Sequence, residues 1–346
     1  LISVVIPIEE GRMPSSIRRR VARRVVQALV RGLSELTARS LARYSPDEAI
    51  GFDVPHRVFS RHGFNLLERS FFLPIPDEDD LDEAFWRQRS DLVGVDLNER
   101  AALALLDDVL PRYAREFGEA VPVHQEDPAS NVFLINSSFM AVDAEVYYAL
   151  IRHLRPRRIV EVGAGWSTLF AAEAVRAGER EDGRTTELLA VDPYPLSFLK
   201  QPVDGLSRLV ERKVQDLALD LFTSLEAGDI LFIDSTHALR SGGDVQFEYC
   251  EILPRLQPGV VVHVHDINLP LEYPRRYVEG YRYFFNEQYL LQAFLAFNSR
   301  FEVLWPARHM LLGHPQRVRA LSAGYDAMKR EYPHLEPSSF WMRVKP

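Results

Sequence analysis

Cysteine is almost missing from this chain: of 346 residues only Cys250 is one, so neither an intramolecular disulfide nor a thiolate zinc cluster can organise the fold. That favours a reducing compartment, and the cytoplasm is the expectation. Lysine is nearly as scarce, occurring at Lys200, Lys213, Lys329 and Lys345, and arginine carries the rest of the positive charge. Acidic residues outnumber basic ones, 49 to 41, for a net charge of −8. The chain as a whole therefore has no electrostatic footprint for nucleic acid or an anionic membrane. No run approaches the roughly 20 apolar residues of a membrane span. With 47% hydrophobic and 26% charged residues, disordered and collagen-like chains are excluded as well. The opening LISVVIPIEEGR has no initiator Met and no signal-peptide pattern, which predicts a piece of a longer chain.

What is present divides near residue 150. Residues 14 to 48 recur apolar at helical spacing with Arg on the other face, predicting one or two amphipathic helices. The arginines from Arg18 to Arg24 read as a solvated face or a contact with a neighbouring domain. Residues 49 to 92 are irregular and rich in Phe, Pro and Asp; 97 to 118 and 142 to 154 return to helical periodicity. We expect a helical N-terminal lid region over 1–140 and a core over 141–346. From residue 157, short apolar runs alternate with helical stretches: RRIVEVG, helix 167 to 177, ELLAVD, a helical stretch, RLVERKVQD, helix 217 to 226, DILFID, helix 243 to 256, GVVVHVHD. Runs apolar on both faces and separated by helices predict an α/β, doubly wound, mainly parallel sheet. FEVLW (301 to 305) and FWMRV (340 to 344) would close it as a terminal antiparallel pair.

Ligands of such sheets bind beyond the carboxyl ends of the strands, and those ends carry Glu161 to Gly165, Asp192, Gln215 and Asp216, Asp234, and His265 and Asp266. Gly163 and Gly165 permit close backbone approach before a helix that starts near Ser167 with free N–H groups. Thr168 stands where a dinucleotide fingerprint needs its third glycine, which argues against a pyrophosphate. Glu161 would repel phosphate and welcome a cation. Asp192 is placed to accept the hydroxyls of a ribose. A ribose and a positive group without a pyrophosphate describe S-adenosylmethionine.

Over roughly residues 140 to 310 these residues resemble the class I S-adenosylmethionine-dependent methyltransferases, which implies a Rossmann-like core. Glu161, Gly163 and Gly165 look like the first motif and Asp192 like the ribose acid. VQDLALDLF (214 to 222) is similar to the segment flanking adenine in catechol-type O-methyltransferases, implying Gln215 and Asp216 as adenine contacts. In those enzymes the strand-four Asp and a strand-five Asp-Asn pair bind a divalent cation, with a base three residues after the first Asp. Here Asp234 and Asp266 fall on the acidic positions and His237 on the base position, but Ile267 replaces the Asn and donates no oxygen to a hard cation.

Without a metal, an alcohol needs a positioned general base, and His237 suits that at neutral pH. Asp266 and Glu287 are the carboxylates that would orient it. His263 reads as a buried structural residue, and His265 as a second candidate at the strand end. HDINLPLEYP, NEQYLLQAFL and SFWMR strengthen a resemblance to O-methyltransferase domains embedded in modular polyketide synthases, which methylate a β-hydroxyl of an acyl chain on a carrier protein. That resemblance implies such an acyl acceptor, a carrier protein and neighbouring synthase domains as partners. For Tyr277, Tyr281, Tyr283, Phe284 and Phe285, core packing is the expectation for most, with one or two lining an apolar tunnel. Two other readings stand beside this one: a free-standing Mg²⁺-dependent methyltransferase of glycosides or catechols, and an inactive cofactor-binding scaffold.

Overall fold

The structure, a computed structural model, describes residues 15–43, 53–67 and 72–346. The chain divides into two compact units, residues 1–73 and 74–346. In the first, α1 (Ser15–Arg43) and α2 (Asp53–Ser60) are helical. The helix expected over 14 to 48 thus runs through 15–43, and residues 44–52 lie outside the described residues. Val26, Leu29, Val30, Leu33 and Leu36 recur at helical spacing along α1 and are exposed.

The second unit is built on one sheet. Strands β1 (Arg158–Val162), β2 (Glu187–Val191), β3 (Arg208–Val210), β4 (Ile230–Ile233), β5 (Val261–Val264), β6 (Phe301–Pro306) and β7 (Phe340–Val344) lie in the order 3-2-1-4-5-7-6. The first five are parallel, and β7 runs antiparallel to both β5 and β6. This is the expected mainly parallel, Rossmann-like sheet with its terminal antiparallel pair. From β1 the chain winds outward through β2 and β3, then returns to place β4 on the other side of β1. The strand order reverses there, so a crevice opens at the carboxyl ends of β1 and β4.

Helices α3 (Glu83–Trp86), α4 (Glu99–Asp108), α5 (Leu110–Ala120) and α6 (Asp143–Leu154) precede the sheet, and α7 (Trp166–Asp182), α8 (Asp220–Thr223), α9 (Asp244–Phe247) and α10 (Glu287–Leu295) follow its strands. Two expected helices are shorter than their patterns. The stretch 243 to 256 is α-helical only through α9, then widens into a π-helical turn over Glu248–Ile252 and a 3₁₀ turn over Leu253–Arg255. Pro254 accounts for this, because its ring displaces the carbonyl four residues back and it has no N–H to give. The stretch 217 to 226 holds only the single turn of α8.

Side chains alternate between the faces of each strand. Ile159, Phe232 and Trp341 join Tyr147 of α6 and Phe170 of α7 in one core, while Val160, Val162, Leu231 and Ile233 pack with Phe222, Ile252 and Leu291 in the other. Glu161 falls between Val160 and Val162, so the alternation sends it into the first core.

α6 also carries Glu145 into that core, where burial pushes its carboxyl up to about 7 against a hydrogen bond from Ser322. The folded state then binds more protons than the unfolded chain between the ordinary Glu value and about pH 7, and stability falls as pH rises through that window. Glu145→Gln removes the titration. The variant should exceed wild type by about 2–3 kcal/mol at pH 8 and match it near pH 5, as read from urea unfolding at the two pH values.

Candidate active site

Gly163 ends β1 at φ +88°, a left-handed conformation, and a Cβ added there would lie 1.9 Å from the backbone oxygen of Asp234 at the end of β4. Only glycine lets these neighbouring strand ends pass. Gly165 differs: its backbone is extended, and a Cβ there would meet no atom within 4 Å. It faces a cleft of about 620 Å³ that Ser167, Asp192 and Asp234 also line. Asp192 is tied to the glycine turn by Ala164 N–H at 3.0 Å on one carboxylate oxygen, and Tyr194 N–H donates to the other at 2.6 Å.

Three residues expected at the cofactor do not line this cleft. Glu161 is fully buried and accepts hydrogen bonds from Ser167 Oγ at 2.5 Å, Thr168 Oγ1 at 3.0 Å and Tyr147 Oη at 3.3 Å. It anchors the first turn of α7 from beneath and does not line the cleft. Burial raises its carboxyl to about 8, overcoming those donors. Gln215 gives its side-chain amide to the Gly242 carbonyl at 3.1 Å, and Asp216 is exposed; neither lines the cleft.

Beside the glycine turn, at the ends of β4 and β5 and the start of α10, the structure brings together His237, Asp234, Asp266, Glu287 and His265. His237 Nδ1 lies 2.8 Å from Glu287 Oε2, while Nε2 lies 3.3 Å from Asp234 Oδ1 and 3.5 Å from Asp266 Oδ2. The loop after β4 is stitched to the start of α10, because the His237 carbonyl accepts the N–H groups of Asn286 and Glu287, and Leu239 N–H donates to Asn286 Oδ1. His237 and Asp266 both sit at positive φ, +57° and +54°. Non-glycine residues held there by their surroundings cluster at functional sites.

A second histidine extends the array. His265 Nδ1 lies 3.3 Å from Asp234 Oδ1, and its Nε2 lies 3.3 Å from Asp143 Oδ2. Asp143 is held in turn by the N–H groups of Ser338 at 2.7 Å and Ser339 at 3.1 Å. Acid and imidazole thus alternate from Asp143 through His265, Asp234 and His237 to Glu287. Burial works against a charged His237 ring, but the hydrogen bonds to Asp234 and Glu287 and the charge of Asp266 raise it well above the ordinary value. Burial likewise opposes a charged Asp234, and the two histidines outweigh it, holding the carboxyl well below the usual range. His263 is structural, as expected: it stacks between Phe232 and Trp341 with centroids 4.0 and 4.1 Å away, and burial keeps it neutral.

The ligand atoms of Asp234, His237 and Asp266 lie within 4.8 Å of one another, so this trio could hold a metal ion. Ile267 is buried in the core and adds no donor. The aromatic segment departs from its expectation of core packing, since Tyr277, Tyr281, Tyr283 and Phe285 all line the cleft. Asp143 escaped sequence reasoning, although an acidic residue opening a helix that is buried almost all round was a usable signal.

Residues 160–267, which span the glycine turn, Asp192, Asp234, His237 and Asp266, match the family model of a methyltransferase domain. An uncharacterised protein of Archaeoglobus fulgidus is 31% identical over 167 residues, covering 45% of this chain and 72% of that protein. Residues 160–267 of the chain are thus a methyltransferase domain. Among solved structures, the methyltransferase is similar to the CmcI apo-structure at 15% identity, covering 65% of this chain and 89% of that one with a TM-score of 0.36. It is also similar to an O-methyltransferase from Bacillus cereus in complex with SAH, at 14% identity, 71% and 97% coverage and a TM-score of 0.32. No helix among the described residues is long and apolar enough to cross a membrane.

Proposed function

We propose that this methyltransferase transfers a methyl group from S-adenosylmethionine to a hydroxyl, with His237 as general base and Glu287 as the group that orients it. The carrying observation is the pairing of His237 Nδ1 with a fully buried Glu287, which leaves Nε2 turned toward the carboxylates that border the cleft. The glycine turn and Asp192 fit the donor. Gly165 leaves open the space that a side chain would fill, and each Asp192 oxygen, with one backbone N–H already bound, keeps acceptor capacity for ribose hydroxyls.

S-adenosylmethionine, when bound, supplies a methyl carbon activated by a sulfonium. The chain's own residues hold the acceptor and take its proton. The contacts from Nε2 to Asp234 and Asp266, at 3.3 and 3.5 Å, are long ones. An arriving hydroxyl replaces them, which removes interactions that favour the charged ring and frees Nε2 to accept the proton. We take the acceptor to be the β-hydroxyl of a polyketide-type acyl chain, delivered by a carrier protein within a larger synthase. The aromatic wall of the cleft supports an acceptor with apolar surface. Incubation with S-adenosylmethionine and 3-hydroxyacyl N-acetylcysteamine thioesters tests this, and a methyl ether detected by mass spectrometry is the expected product. Binding of the cofactor without turnover on any hydroxylated acceptor would favour a scaffold instead.

Asp192→Ala should weaken S-adenosylmethionine binding at least tenfold in calorimetry, since charge-assisted hydrogen bonds of this kind contribute roughly 1.5–3 kcal/mol. Unchanged affinity would remove Asp192 from the cofactor site.

The convergence of Asp234, His237 and Asp266 favours a second reading, a divalent cation in the same place. Two carboxylates and an imidazole suit a transition metal better than Mg²⁺. The cation would occupy His237 Nε2, so the two roles exclude one another. Dialysis against EDTA is expected to leave most of the activity. Loss restored by Mn²⁺ or Mg²⁺ would replace the base with the cation.

A further inference from the structure

A second apolar space, of about 160 Å³, lies behind the aromatic wall of the cleft, with Leu81, Phe85 and Trp86 on one side and Val278 and Phe284 on the other. Consecutive residues of one segment face the two spaces: Tyr277 the cleft and Val278 the chamber, then Tyr283 the cleft and Phe284 the chamber. Phe285 is common to both linings, and its ring meets that of His237 edge-on with centroids 4.9 Å apart. One aromatic ring thus stands between the base and the chamber.

Most of the polar groups on the chamber wall are already engaged. Tyr289 Oη donates to Glu272, Trp86 Nε1 to the Leu81 carbonyl at 3.1 Å, and Gln288 N–H to Tyr273 Oη at 3.0 Å, while Asn286 Oδ1 accepts Leu239 N–H at 2.6 Å. An occupant therefore gains little by hydrogen bonding and most by burying carbon. The wall contributed by residues 78–86 is clasped to the segment after β5 by exposed ion pairs, Glu83 with Arg275 and Glu78 with Arg282. Such pairs are individually weak, so this wall can part to admit a chain.

We propose that the chamber takes the apolar tail of the acceptor, which passes Phe285 while its hydroxyl is held at His237. The inference rests on the acceptor reading above for the head group and adds a ligand class, a hydroxylated molecule with a flexible hydrocarbon tail. Each methylene buried tightens binding about fourfold. The wild-type chain should therefore bind 3-hydroxydecanoyl N-acetylcysteamine at least tenfold more tightly than the 3-hydroxybutyryl analogue in titration calorimetry.

Leu81→Trp fills the chamber from one side and Val278→Phe from the other. Each should erase the preference while leaving the affinity for the short probe and for S-adenosylmethionine unchanged, and the cofactor titration also reports that the variant is folded. Equal affinity for the two probes in wild type, or a preference that survives in both folded variants, overturns the assignment. Octan-1-ol separates the two readings, because it carries a tail without the acyl head. If neither thioester binds but octan-1-ol does, and both variants abolish its binding, the acceptor reading falls and the chamber stands. If octan-1-ol also fails to bind, the chamber assignment falls with it.

Discussion

His237→Ala is expected to turn over about 10²- to 10⁴-fold more slowly than wild type, while binding S-adenosylmethionine with unchanged affinity. The separation follows from the geometry. His237 meets Glu287, Asp234 and Asp266 and is buried just behind the cleft that the two carboxylates Asp234 and Asp266 line. Gly165 and Asp192, the residues assigned to the cofactor, line the cleft themselves and make no contact with His237. Glu287→Gln keeps the side-chain volume but removes the charge that orients the ring, so its loss should be comparable or smaller. Because the two act as a unit, the double variant should cost much less than the product of the singles. Steady-state rates on a hydroxylated acceptor that the wild type methylates and cofactor calorimetry give both readouts. Should His237→Ala stay near wild-type turnover while His265→Ala abolishes it, the base belongs to the end of β5 and not to the loop after β4.

The next largest effect concerns a single hydrogen atom at the end of β1. An alanine at Gly163 would take a left-handed backbone conformation, at a cost of about 1–2 kcal/mol, and would also drive its methyl group into the Asp234 carbonyl at 1.9 Å. That carbonyl belongs to backbone and cannot rotate aside, so β1 and β4 must part or the turn must rearrange. We expect destabilisation above about 4 kcal/mol, seen as loss of soluble protein or a large drop in Tm by circular dichroism. Gly165→Ala is the matched control. Its backbone suits any residue and its Cβ meets nothing, so Tm should hold while cofactor affinity falls as the methyl enters the cleft. A Gly163→Ala chain that melts like wild type would mean the strand ends are not packed as described.

The mainly parallel sheet with its terminal antiparallel pair, the location of the cleft and the convergence of Asp234, His237, Asp266 and Glu287 were legible because a parallel sheet puts its carboxyl ends on one edge and the motif residues sit there. Side-chain direction was harder to read. Glu161 reads as a cleft residue from its closeness to Gly163, yet its parity on β1, opposite Phe232, turns it inward. Gln215 and Asp216 follow a strand of only three residues, and a 3₁₀ turn redirects them. Where the aromatic segment would lie depended on residues 74–86 packing over it, a long-range arrangement that no local periodicity encodes.

The acid–imidazole array has a bearing on how the sheet must close. Its outermost carboxylate, Asp143, is gripped by the backbone N–H groups of Ser338 and Ser339, the two residues that lead into β7. Within this sheet β7 comes last in chain order, and it inserts between β5 and β6 with Phe340 opposite Val264 and Trp341 opposite His263. A slip of one residue would exchange the faces of Phe340 and Trp341 and move both N–H groups away from Asp143. His265 would lose its outer partner, and Asp234 the ring that steadies it. Asp143, His265, Asp234 and His237 therefore come into this arrangement only when β7 has seated in register.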